Sequence, residues 1–436
     1  MRAEPELLIV GAGPAGLAAA SEATRAGVTA MLVDAGESTG GQFYARPPGG
    51  AWDEGIPPAI VDGVRPELLR VRLRTAVWGA FGDRFALVED RSSELIRPAA
   101  VIIATGAIER PVPFPGWDRP GVLAPGALQR LLKVSKVVPN GSVVIAGSGP
   151  FLFAVAADLR GAGADVRAVV ERRTRFQLTQ LLPAFGRNRE RQRDALRFAR
   201  SLKGVQLRFG VEVIGADANG VRLGDGTHIE ADVVCIGYGF SPRLELARLL
   251  GLAATRSGVQ VDASMQTSRA GVFAAGEATG IGGAPLAAAE GRLAGLAAAR
   301  FLGRCSPADA ERQKGLQASA RMHASFARRL EASYPPVPVL GTATAETTVC
   351  RCEHVRLGEL TRASSSPLAT DDPRAAKAEL RCGMGACQGV MCSEAVWSAM
   401  GFAASFEDRR VPRPRPPLMP VSVGTVAGGD TGKPEL

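Results

Sequence analysis

A glycine-rich turn near the N-terminus constrains the fold of this chain more than any other feature. The apolar run Glu6–Val10 leads directly into Gly11-Ala-Gly-Pro-Ala-Gly16, and an alanine-rich segment follows. A second apolar run, Thr29–Val33, ends at Asp34. A strand, three spaced glycines, a helix, a second strand and a terminal acid together form the fingerprint of a dinucleotide-binding βαβ unit.

Each part of this fingerprint has a chemical reason. Gly11 permits the tight turn, Gly13 lets the backbone approach a pyrophosphate, and Gly16 lets helix and strand pack closely. The N-terminus of the helix offers N–H groups and the positive end of its dipole to the phosphates. We expect Asp34 to accept a hydrogen bond from a ribose hydroxyl.

Two further loops favour FAD over NAD as the ligand. The run Ala100–Ala104 ends at Thr105-Gly106, and the run Gly271–Ala275 ends at Gly276-Glu277. If both runs are strands of one sheet, their loops meet at the edge where ligands of such sheets bind. Gly106 would let the chain pass close to the flavin, and Glu277 could hold a ribityl hydroxyl. The alternative is that both loops are ordinary strand-ending turns.

A second, less regular unit follows. Ser142–Ala146 leads into Gly147-Ser-Gly149, and a later strand ends at Glu171. Leu152 stands where the third glycine is expected, and Arg172-Arg173 directly after the acid could bind a phosphate. NAD(P), a mononucleotide such as ATP, and no ligand all stay open, and we favour a non-catalytic nucleotide site or an empty one.

Composition and charge narrow the class of protein. With 436 residues, 46% of them hydrophobic, the chain is long enough for a globular protein of several domains. Its net charge of +9 comes with only six lysines, and we expect the basic residues to be scattered, without a nucleic-acid partner. The uncharged stretch Val137–Ala157 is interrupted by Gly147–Pro150, so no transmembrane segment is expected. No secretory signal is visible at the N-terminus, which predicts a cytoplasmic location.

Two close pairs of cysteines near the C-terminus predict a metal centre. They are Cys350 with Cys352, and Cys382 with Cys387, and glycines lie between the members of the second pair. Zinc sites favour two-residue gaps on both sides, so the one-residue and four-residue gaps favour a [2Fe–2S] cluster, with structural zinc as the alternative. Cys392, which follows Cys387 after four intervening residues, is an alternative ligand, although we favour the interpretation that it packs on a helix.

Residues 5 to 300 resemble the flavoprotein family that includes glutathione and thioredoxin reductases. This resemblance implies that Gly40-Gly41-Gln42 lies beside the flavin and that Glu290-Gly291 opens the last alanine-rich helix, with N–H groups directed at the isoalloxazine. The family usually has Asp at the position of Glu277. Its disulfide reductases also carry a redox cysteine pair, and neither position for that pair holds a cysteine here, so disulfide exchange is not expected.

The cysteine region gives a closer resemblance. Thr348–Glu353 and Arg381–Gly389 look like the bacterioferritin-associated-ferredoxin-like [2Fe–2S] domain, and Val144–Pro150 and Ala289–Gly295 look like the same group. That group comprises the large subunits of bacterial opine oxidases and hydrogen cyanide synthase. Related alpha subunits occur in dye-linked proline and D-hydroxyproline dehydrogenases and in heterotetrameric sarcosine oxidase. Arg46 lies one residue later than the arginine that often follows the GGQ motif in this family.

This resemblance implies a division of labour between subunits. A beta subunit with its own FAD would oxidise the C–N bond of an amine such as an opine, a D-amino acid, proline, hydroxyproline or glycine. This chain would accept the electrons and pass them to a quinone or another acceptor. The resemblance further implies a small gamma subunit and FMN at a subunit interface. It also implies association with a membrane through these partners. A stand-alone NAD(P)H-dependent FAD oxidoreductase is the alternative function.

The predicted fold is α/β, with two Rossmann-like dinucleotide-binding domains, the second inserted in the first, and a small [2Fe–2S] domain. The predicted segments are 1–118 with 264–302 for FAD, 119–263 for the NAD(P)-binding-like domain, 303–345 for a helical linker, 346–405 for the [2Fe–2S] domain and 406–436 for a proline-rich tail. No catalytic residue is predicted, because the three histidines, His228, His323 and His354, are interpreted as structural or solvent-facing.

The predicted ligand-binding residues fall into three sets. For FAD they are Gly11, Gly13, Pro14, Ala15, Gly16, Asp34, Gly41, Gln42, Val77, Ala104, Thr105, Gly106, Gly276, Glu277, Glu290 and Gly291. For the second nucleotide they are Gly147, Gly149 and Glu171. For the cluster they are Cys350, Cys352, Cys382 and Cys387.

Overall fold

A computed structural model describes residues 4–179, 189–304, 306, 308–365, 373–401 and 413–427. The chain forms two compact units. Unit 1 comprises Met1–Ile108, Ser241–Ala327 and Arg413–Leu436, and unit 2 comprises Glu109–Phe240 and Arg328–Pro412. The chain therefore leaves unit 1 and returns to it, as expected for an inserted domain, and the cysteine region lies in unit 2.

The secondary structure of the described residues alternates strands and helices. The strands are β1 (Leu7–Val10), β2 (Ala30–Val33), β3 (Leu69–Arg72), β4 (Thr75–Phe81), β5 (Arg84–Glu89), β6 (Ser92–Ile96), β7 (Ala100–Ile103), β8 (Ala107–Glu109), β9 (Val122–Leu123), β10 (Ser142–Gly147), β11 (Asp165–Glu171), β12 (Gln206–Phe209), β13 (Val213–Asp217), β14 (Gly220–Leu223), β15 (His228–Glu230), β16 (Val233–Gly237), β17 (Phe240–Pro242), β18 (Ala254–Thr255), β19 (Gly258–Val259), β20 (Val272–Ala274), β21 (Thr348–Cys350) and β22 (Val355–Arg356).

The helices are α1 (Pro14–Arg25), α2 (Pro58–Val61), α3 (Pro125–Ser135), α4 (Phe151–Gly161), α5 (Arg175–Thr179), α6 (Arg189–Ser201), α7 (Glu245–Leu249), α8 (Ala284–Phe301), α9 (Ala308–Ser333), α10 (Leu357–Ser364), α11 (Pro373–Leu380), α12 (Ser393–Ala399) and α13 (Val423–Val426). None of the helices in these described ranges is both long and apolar enough to cross a membrane.

The core of unit 1 is a five-stranded parallel sheet in the order β20-β7-β1-β2-β3. All four residues of β1, β2 and β7 are buried, which is typical of parallel strands covered on both faces. The apolar runs identified in the sequence are therefore strands of one sheet, and their C-terminal ends lie at one edge.

Small residues allow α1 and α8 to pack closely within unit 1. A Cβ atom on Gly291 would overlap the carbonyl oxygen of Ala15, and one on Gly295 would overlap that of Ala19. The alanine-rich composition of both helices thus serves a close helix–helix contact. The helix that follows the first glycine motif is thus held against α8.

A buried carboxylate joins this helix pair to α9. Glu22 of α1 is fully buried and forms ion pairs with Arg25 at 2.9 Å, Arg292 of α8 at 2.6 Å and Arg312 of α9 at 2.5 Å. Burial alone would raise the pKa of Glu22, but hydrogen bonds from Arg312 and Arg292 outweigh it and hold the pKa below its usual value. Part of the segment predicted as a helical linker therefore packs on unit 1.

A three-stranded antiparallel sheet, β4-β5-β6, lies between β3 and β7 along the chain. The N–H of Leu418 donates to the carbonyl oxygen of Trp78 in β4 at 2.7 Å, and α13 follows. Part of the predicted proline-rich tail thus contacts unit 1, whereas residues 402–412 lie outside the described residues.

Unit 2 contains a second parallel sheet in the order β12-β11-β10-β16-β9. A three-stranded antiparallel sheet, β13-β14-β15, packs its apolar residues against one face. Leu152 of α4 is buried in the core on the other face. The α/β class with two Rossmann-like sheets is confirmed, while the separate [2Fe–2S] domain stays a prediction.

The cysteine region of unit 2 has a small core of its own. The hairpin β21–β22 and helices α10 and α12 bury Val349, Leu360 and Val396 together with three cysteines. Long-range contacts join this region to the rest of unit 2. Trp117 donates from Nε1 to the carbonyl oxygen of Thr348 at 2.6 Å, and Arg110 pairs with Glu394 at 2.5 Å.

Candidate functional site

The first glycine loop of unit 1 has no room for larger residues. Gly11 has φ of +109°, and a Cβ atom there would overlap the carbonyl oxygen of Ala104 at the end of β7. A Cβ atom on Gly16 would overlap the carbonyl oxygen of Gly11. The predicted reasons for both glycines, a tight turn and close helix–strand packing, match these contacts.

Asp34 is already oriented by this loop. Its Oδ2 accepts from the N–H of Ala12 at 2.6 Å, and its Oδ1 accepts from the N–H of Gly36 at 2.7 Å. Each carboxylate oxygen has a further lone pair, so a ribose hydroxyl could still donate to it. The N–H of Thr75, the first residue of β4, donates to the backbone oxygen of Asp34. Val77 lies two residues further along β4 and is half-buried.

The GGQ turn lies directly against the glycine loop. Gly40 donates its N–H to the carbonyl oxygen of Ala12 at 2.8 Å, and a Cβ atom on Gly41 would come within 3.0 Å of Cα of Gly13. Gln42, the third residue of the turn, is exposed.

Arg46 closes the loop that follows the GGQ turn. Its guanidinium donates to the carbonyl oxygen of Thr39 at 3.0 Å, to that of Ala51 at 3.0 Å and to that of Trp52 at 3.3 Å. These bonds fix the shape of residues 39–52, so the structure gives Arg46 a role in holding the loop together.

The loop after β7 is held in place by hydrogen bonds to Arg243. Thr105 donates from Oγ1 to the carbonyl oxygen of Arg243 at 2.9 Å, and the N–H of Arg243 donates to the carbonyl oxygen of Gly106 at 2.9 Å. Gly106 has φ of +71°, and a Cβ atom there would meet no atom within 4 Å. Open space therefore lies beside this backbone, as a closely approaching ligand requires.

Two half-buried carboxylates lie at the loop after β20, Glu277 within the loop and Glu290 on α8. Burial raises the pKa of Glu277, against a hydrogen bond from the N–H of Gly283. Glu290 accepts from the N–H of Gly276 at 2.9 Å and from Oγ1 of Thr279 at 2.7 Å, and burial raises its pKa to about 7. The side chain of Glu290 thus fixes the turn that contains Gly276 and Glu277.

The expectation that Glu290-Gly291 opens the last helix is wrong. Helix α8 begins at Ala284, with Gly283 as its N-cap and Pro285 in its first turn. Glu290 and Gly291 lie in the helix interior, where backbone N–H groups bond to carbonyl oxygens one turn earlier. The free N–H groups of α8 are therefore those that follow Gly283, and Gly291 serves the packing on Ala15.

Together these loops form one edge. The loops after β1, β2, β7 and β20 all follow the C-terminal ends of parallel strands of one sheet, which is where dinucleotides bind in this type of fold. Gly11 allows a tight turn against Ala104, and the space beside Gly106 is open. The Asp34 carboxylate lies at the same edge of the sheet. The residues present fit an FAD.

The glycine loop of unit 2, residues 147–149, repeats part of the geometry of the first glycine loop. A Cβ atom on Gly147 would overlap the carbonyl oxygen of Gly237, and Gly149 donates its N–H to Oε2 of Glu171 at 2.9 Å. Oε1 of Glu171 accepts from the N–H of Arg173 at 2.8 Å and from Oγ of Ser148 at 3.2 Å. Burial nevertheless raises the pKa of Glu171.

The cysteines of the C-terminal region lie close together in unit 2. The thiol of Cys350 contacts those of Cys382 and Cys392, and the thiol of Cys387 contacts those of Cys352 and Cys392. The four predicted ligands are therefore brought together. Cys392, which was expected to pack on a helix, lies between Cys350 and Cys387 and contacts both.

Backbone N–H groups surround two of these sulfur atoms. Cys350 receives hydrogen bonds from the N–H groups of Cys352, Glu353 and Gly383, and its pKa falls to about 5, chiefly because the thiol of Cys392 also donates to it. The single S–H of Cys392 is shared between Cys350 and Cys387. It is the chief cause that lowers the pKa of Cys387 to about 5, and the N–H groups of Met391 and Gly389 also contribute. Both sulfurs are thus stabilised as thiolates, the form that binds metals.

The glycines of the second cysteine pair leave room for this arrangement. A Cβ atom on Gly385 would overlap the Cβ atom of Cys352. Within the described residues, no group of three or more His, Cys, Asp or Glu side chains has an arrangement that could hold a metal ion. The thiols instead form a continuous row of contacts in the order Cys382, Cys350, Cys392, Cys387, Cys352. A [2Fe–2S] cluster takes four protein ligands in all, and this row supplies more than enough of them.

One aromatic residue anchors the first cysteine pair. The guanidinium of Arg351, between Cys350 and Cys352, stacks on the indole of Trp117 with 3.9 Å between Cζ and the ring centroid. Arg351 also donates to the backbone oxygen of Trp117. No sequence pattern predicted this contact, because 234 residues separate the partners.

Two of the three histidines lie at the surface of unit 2. His228 is exposed on β15 and pairs with Asp217 at 3.2 Å. His354 is exposed in the turn of the β21–β22 hairpin, with φ of +54°. The absence of a predicted catalytic residue stays a prediction.

Comparisons with known proteins agree with this geometry. The family model described as pyridine nucleotide-disulphide oxidoreductase matches residues 5–291. One opine oxidase subunit of Rhizobium meliloti is 32% identical, with 97% of this chain and 87% of that protein aligned. Hydrogen cyanide synthase subunit HcnB of Pseudomonas aeruginosa is also 32% identical, with 95% of this chain and 96% of that protein aligned.

A solved structure shows the same fold over nearly the whole chain. The L-proline dehydrogenase of P. horikoshii superposes with a TM-score of 0.68 at 20% identity, covering 97% of this chain and 79% of that one. The family model and the near full-length relatives together identify the chain as an FAD-dependent oxidoreductase. It belongs to the pyridine nucleotide-disulphide oxidoreductase family, with relatives that include subunits of opine oxidase and of hydrogen cyanide synthase.

Proposed function

We propose that this chain is the electron-transfer subunit of a hetero-oligomeric amine dehydrogenase or oxidase. It would accept electrons from a beta subunit that oxidises a C–N bond and pass them to a quinone or another acceptor. The observation that carries this proposal is the set of contacting, N–H-bonded thiols at Cys350 and Cys387, in the same chain as an FAD-binding edge.

The FAD would be held by the loops after β1, β2, β7 and β20. Gly11 and Gly13 would allow the pyrophosphate to approach, Asp34 would accept from a ribose hydroxyl, and the Glu277 loop would face the ribityl chain. FAD supplies the ability to take up electrons as a pair and release them singly. Arg46 and Glu290 hold the two flanking loops in shape through the hydrogen bonds described above.

The cluster would be held by Cys350, Cys352 and Cys387 together with a fourth cysteine. The sequence predicts Cys382 for that place. The contacts favour Cys392, because Cys392 lies between Cys350 and Cys387, the two sulfurs stabilised as thiolates, whereas Cys382 touches only Cys350. Backbone N–H groups directed at Cys350 would make a cluster there easier to reduce, since hydrogen bonds to sulfur raise the potential.

The partner is inferred from the relatives. The near full-length relatives are themselves subunits, of an opine oxidase and of a hydrogen cyanide synthase. A chain that resembles them over its whole length would equally require a further subunit. We propose a beta subunit that carries its own FAD and removes two electrons and two protons from the amine, leaving an imine in that subunit.

One experiment tests the proposal directly. The chain is purified without oxygen, and its FAD, iron and acid-labile sulfide are measured together with the electron paramagnetic resonance spectrum of the reduced protein. A bound flavin with iron and sulfide in equal amounts is expected. Zinc in place of iron and sulfide would contradict the electron-transfer function, although it would leave the FAD site intact.

A stand-alone NAD(P)H-dependent oxidoreductase is the second candidate, because of one observation. The hydrogen bond from Gly149 to Glu171 resembles the one from Ala12 to Asp34, one position later in the motif, and this supports a nucleotide site in unit 2 that could take NAD(P) or ATP. Anaerobic addition of NADH or NADPH, followed by flavin absorbance, decides between the candidates. Rapid bleaching by either nucleotide would favour the stand-alone enzyme, and bleaching only through an amine-oxidising partner would favour the electron-transfer subunit.

A further inference from the structure

The excess positive charge of the chain is concentrated in one segment of unit 2. Between Arg172 and Lys203 lie ten of the 52 Lys and Arg residues but only two of the 43 Asp and Glu residues. The rest of the chain holds 42 basic and 41 acidic residues, which is nearly balanced. The expectation that the basic residues are scattered is therefore wrong.

Helix α6 forms the described C-terminal part of this segment. Leu202, directly after the helix, is buried in the core of unit 2, and Arg197 pairs with Asp158 of α4 at 3.2 Å. These contacts fix the helix on the unit. Residues 180–188 lie outside the described residues and form no part of the surface considered below.

One face of α6 presents arginines and an apolar side chain to solvent. Arg193, Leu196 and Arg200 are spaced by three and four positions, so they share a face, and all three are exposed. Leu196, at the centre of this basic face, has 54% of its surface exposed. Phe176, on α5 in the same segment, is 78% exposed.

We propose that the basic face, defined by Arg193, Leu196 and Arg200, docks the protein on anionic lipid headgroups at a membrane surface. Arginines gain from the negative potential of an anionic leaflet, and an apolar side chain between them gains by leaving water at headgroup depth. Nucleic acid fits this face less well, because bases stack on aromatic side chains and the central residue is a leucine.

This docking is a binding property beyond the proposed electron transfer. It would bring the chain to the phase in which quinones dissolve, but it requires neither a cluster nor a partner subunit. Its test is therefore independent of the test of the proposed function, since vesicle binding can be measured on protein whose FAD and iron contents are known.

The test is sedimentation of the full-length chain with vesicles. Vesicles of phosphatidylcholine alone are compared with vesicles that contain about one third phosphatidylglycerol, and we expect about tenfold or more stronger binding to the anionic ones. Arg193→Glu with Arg200→Glu should abolish that difference. The control is Arg84→Glu with Arg91→Glu, which reverses two exposed arginines in and next to β5 and makes the same change in net charge.

The role of the central leucine is tested separately. Leu196→Ser should retain binding at low salt and lose it at roughly 0.5 M NaCl, where screening leaves mainly the apolar contribution. Thermal unfolding and FAD content confirm that each variant is folded.

Several outcomes would overturn the proposal. Equal binding to neutral and anionic vesicles, or binding to neither, would do so. An equal loss in the β5 control would show that total charge matters and that the basic face does not. Binding to heparin or to duplex DNA without vesicle binding would assign the face to another polyanion.

Discussion

Alanine substitution of Cys392 and of Cys382 separates the two candidates for the fourth cluster ligand. Both side chains are nearly completely buried, with 1% and 5% of their surface exposed. Removing either sulfur should therefore cost a similar amount of folding free energy, about 1 kcal/mol. Any large difference between the two variants must then come from metal binding.

The contacts give the direction and size of that difference. Cys392 touches the thiols of both Cys350 and Cys387, so we expect Cys392→Ala to remove a ligand and weaken cluster binding by more than about 100-fold, the upper bound for loss of an outer neighbour. Cys382 touches only Cys350, so as an outer neighbour its loss should weaken binding by about tenfold.

Iron and acid-labile sulfide are measured per chain after anaerobic reconstitution at limiting iron, with the visible spectrum as an independent readout. Cys235→Ala is the matched control, because Cys235 is a fully buried thiol of the same unit that lies in the sheet core. Loss of iron in Cys382→Ala with retention in Cys392→Ala would refute the reasoning from contacts and support the set predicted from spacing. Retention in both would mean that neither cysteine is required.

Three further substitutions test other parts of the structure. Gly11→Ala should weaken FAD binding by about 30-fold or more, since a Cβ atom there overlaps Ala104 and strains a positive φ, and fluorescence titration measures this. Glu22→Gln should destabilise unit 1 by about 3 kcal/mol in urea unfolding, because three arginines lose a buried partner. The difference should vanish in acid, because the carboxylate of Glu22, whose folded pKa is lowered, stabilises the fold above the unfolded value of 4.5 and ceases to do so as pH falls through the folded pKa. Arg351→Met should lower the reduction potential of the cluster by removing a nearby cation, whereas Arg356→Met, at an exposed pair with Glu346, should leave it nearly unchanged in a redox titration.

The strands and their loops could be predicted because the signals are local. Ala100–Ile103 is an apolar run closed by Thr105-Gly106, and it forms a buried parallel strand where expected. The sequence also contains a signal for the start of α8, although the prediction placed that start at Glu290. Gly283 followed by Pro285 is a common helix start, and the resemblance drew attention to Glu290 instead.

The cysteine contacts illustrate what spacing cannot give. Cys387 and Cys392 are separated by a turn that brings their sulfurs together, while Gly389, with φ of +85°, lies within that turn. Five cysteines within reach of one another allow several sets of four, and the sequence alone does not rank them. The stack of Arg351 on Trp117 could not be predicted from sequence patterns, because it depends on how two distant segments of unit 2 fold together.

The two glycine loops support the proposal that this chain receives electrons from a partner subunit and not from NAD(P)H. Both loops bond an N–H group to the acid at the end of the next strand. In unit 1, Gly16 lets α1 begin directly after Gly13, whereas in unit 2 Leu152 fills the core and α4 begins at Phe151, one position later relative to the motif. A pyrophosphate gains from N–H groups at a helix start only at close range. Unit 2 thus keeps an acid, Glu171, at the position proposed for ribose binding, while its helix start is less favourable for a dinucleotide. This difference supports the proposed entry of electrons through unit 1.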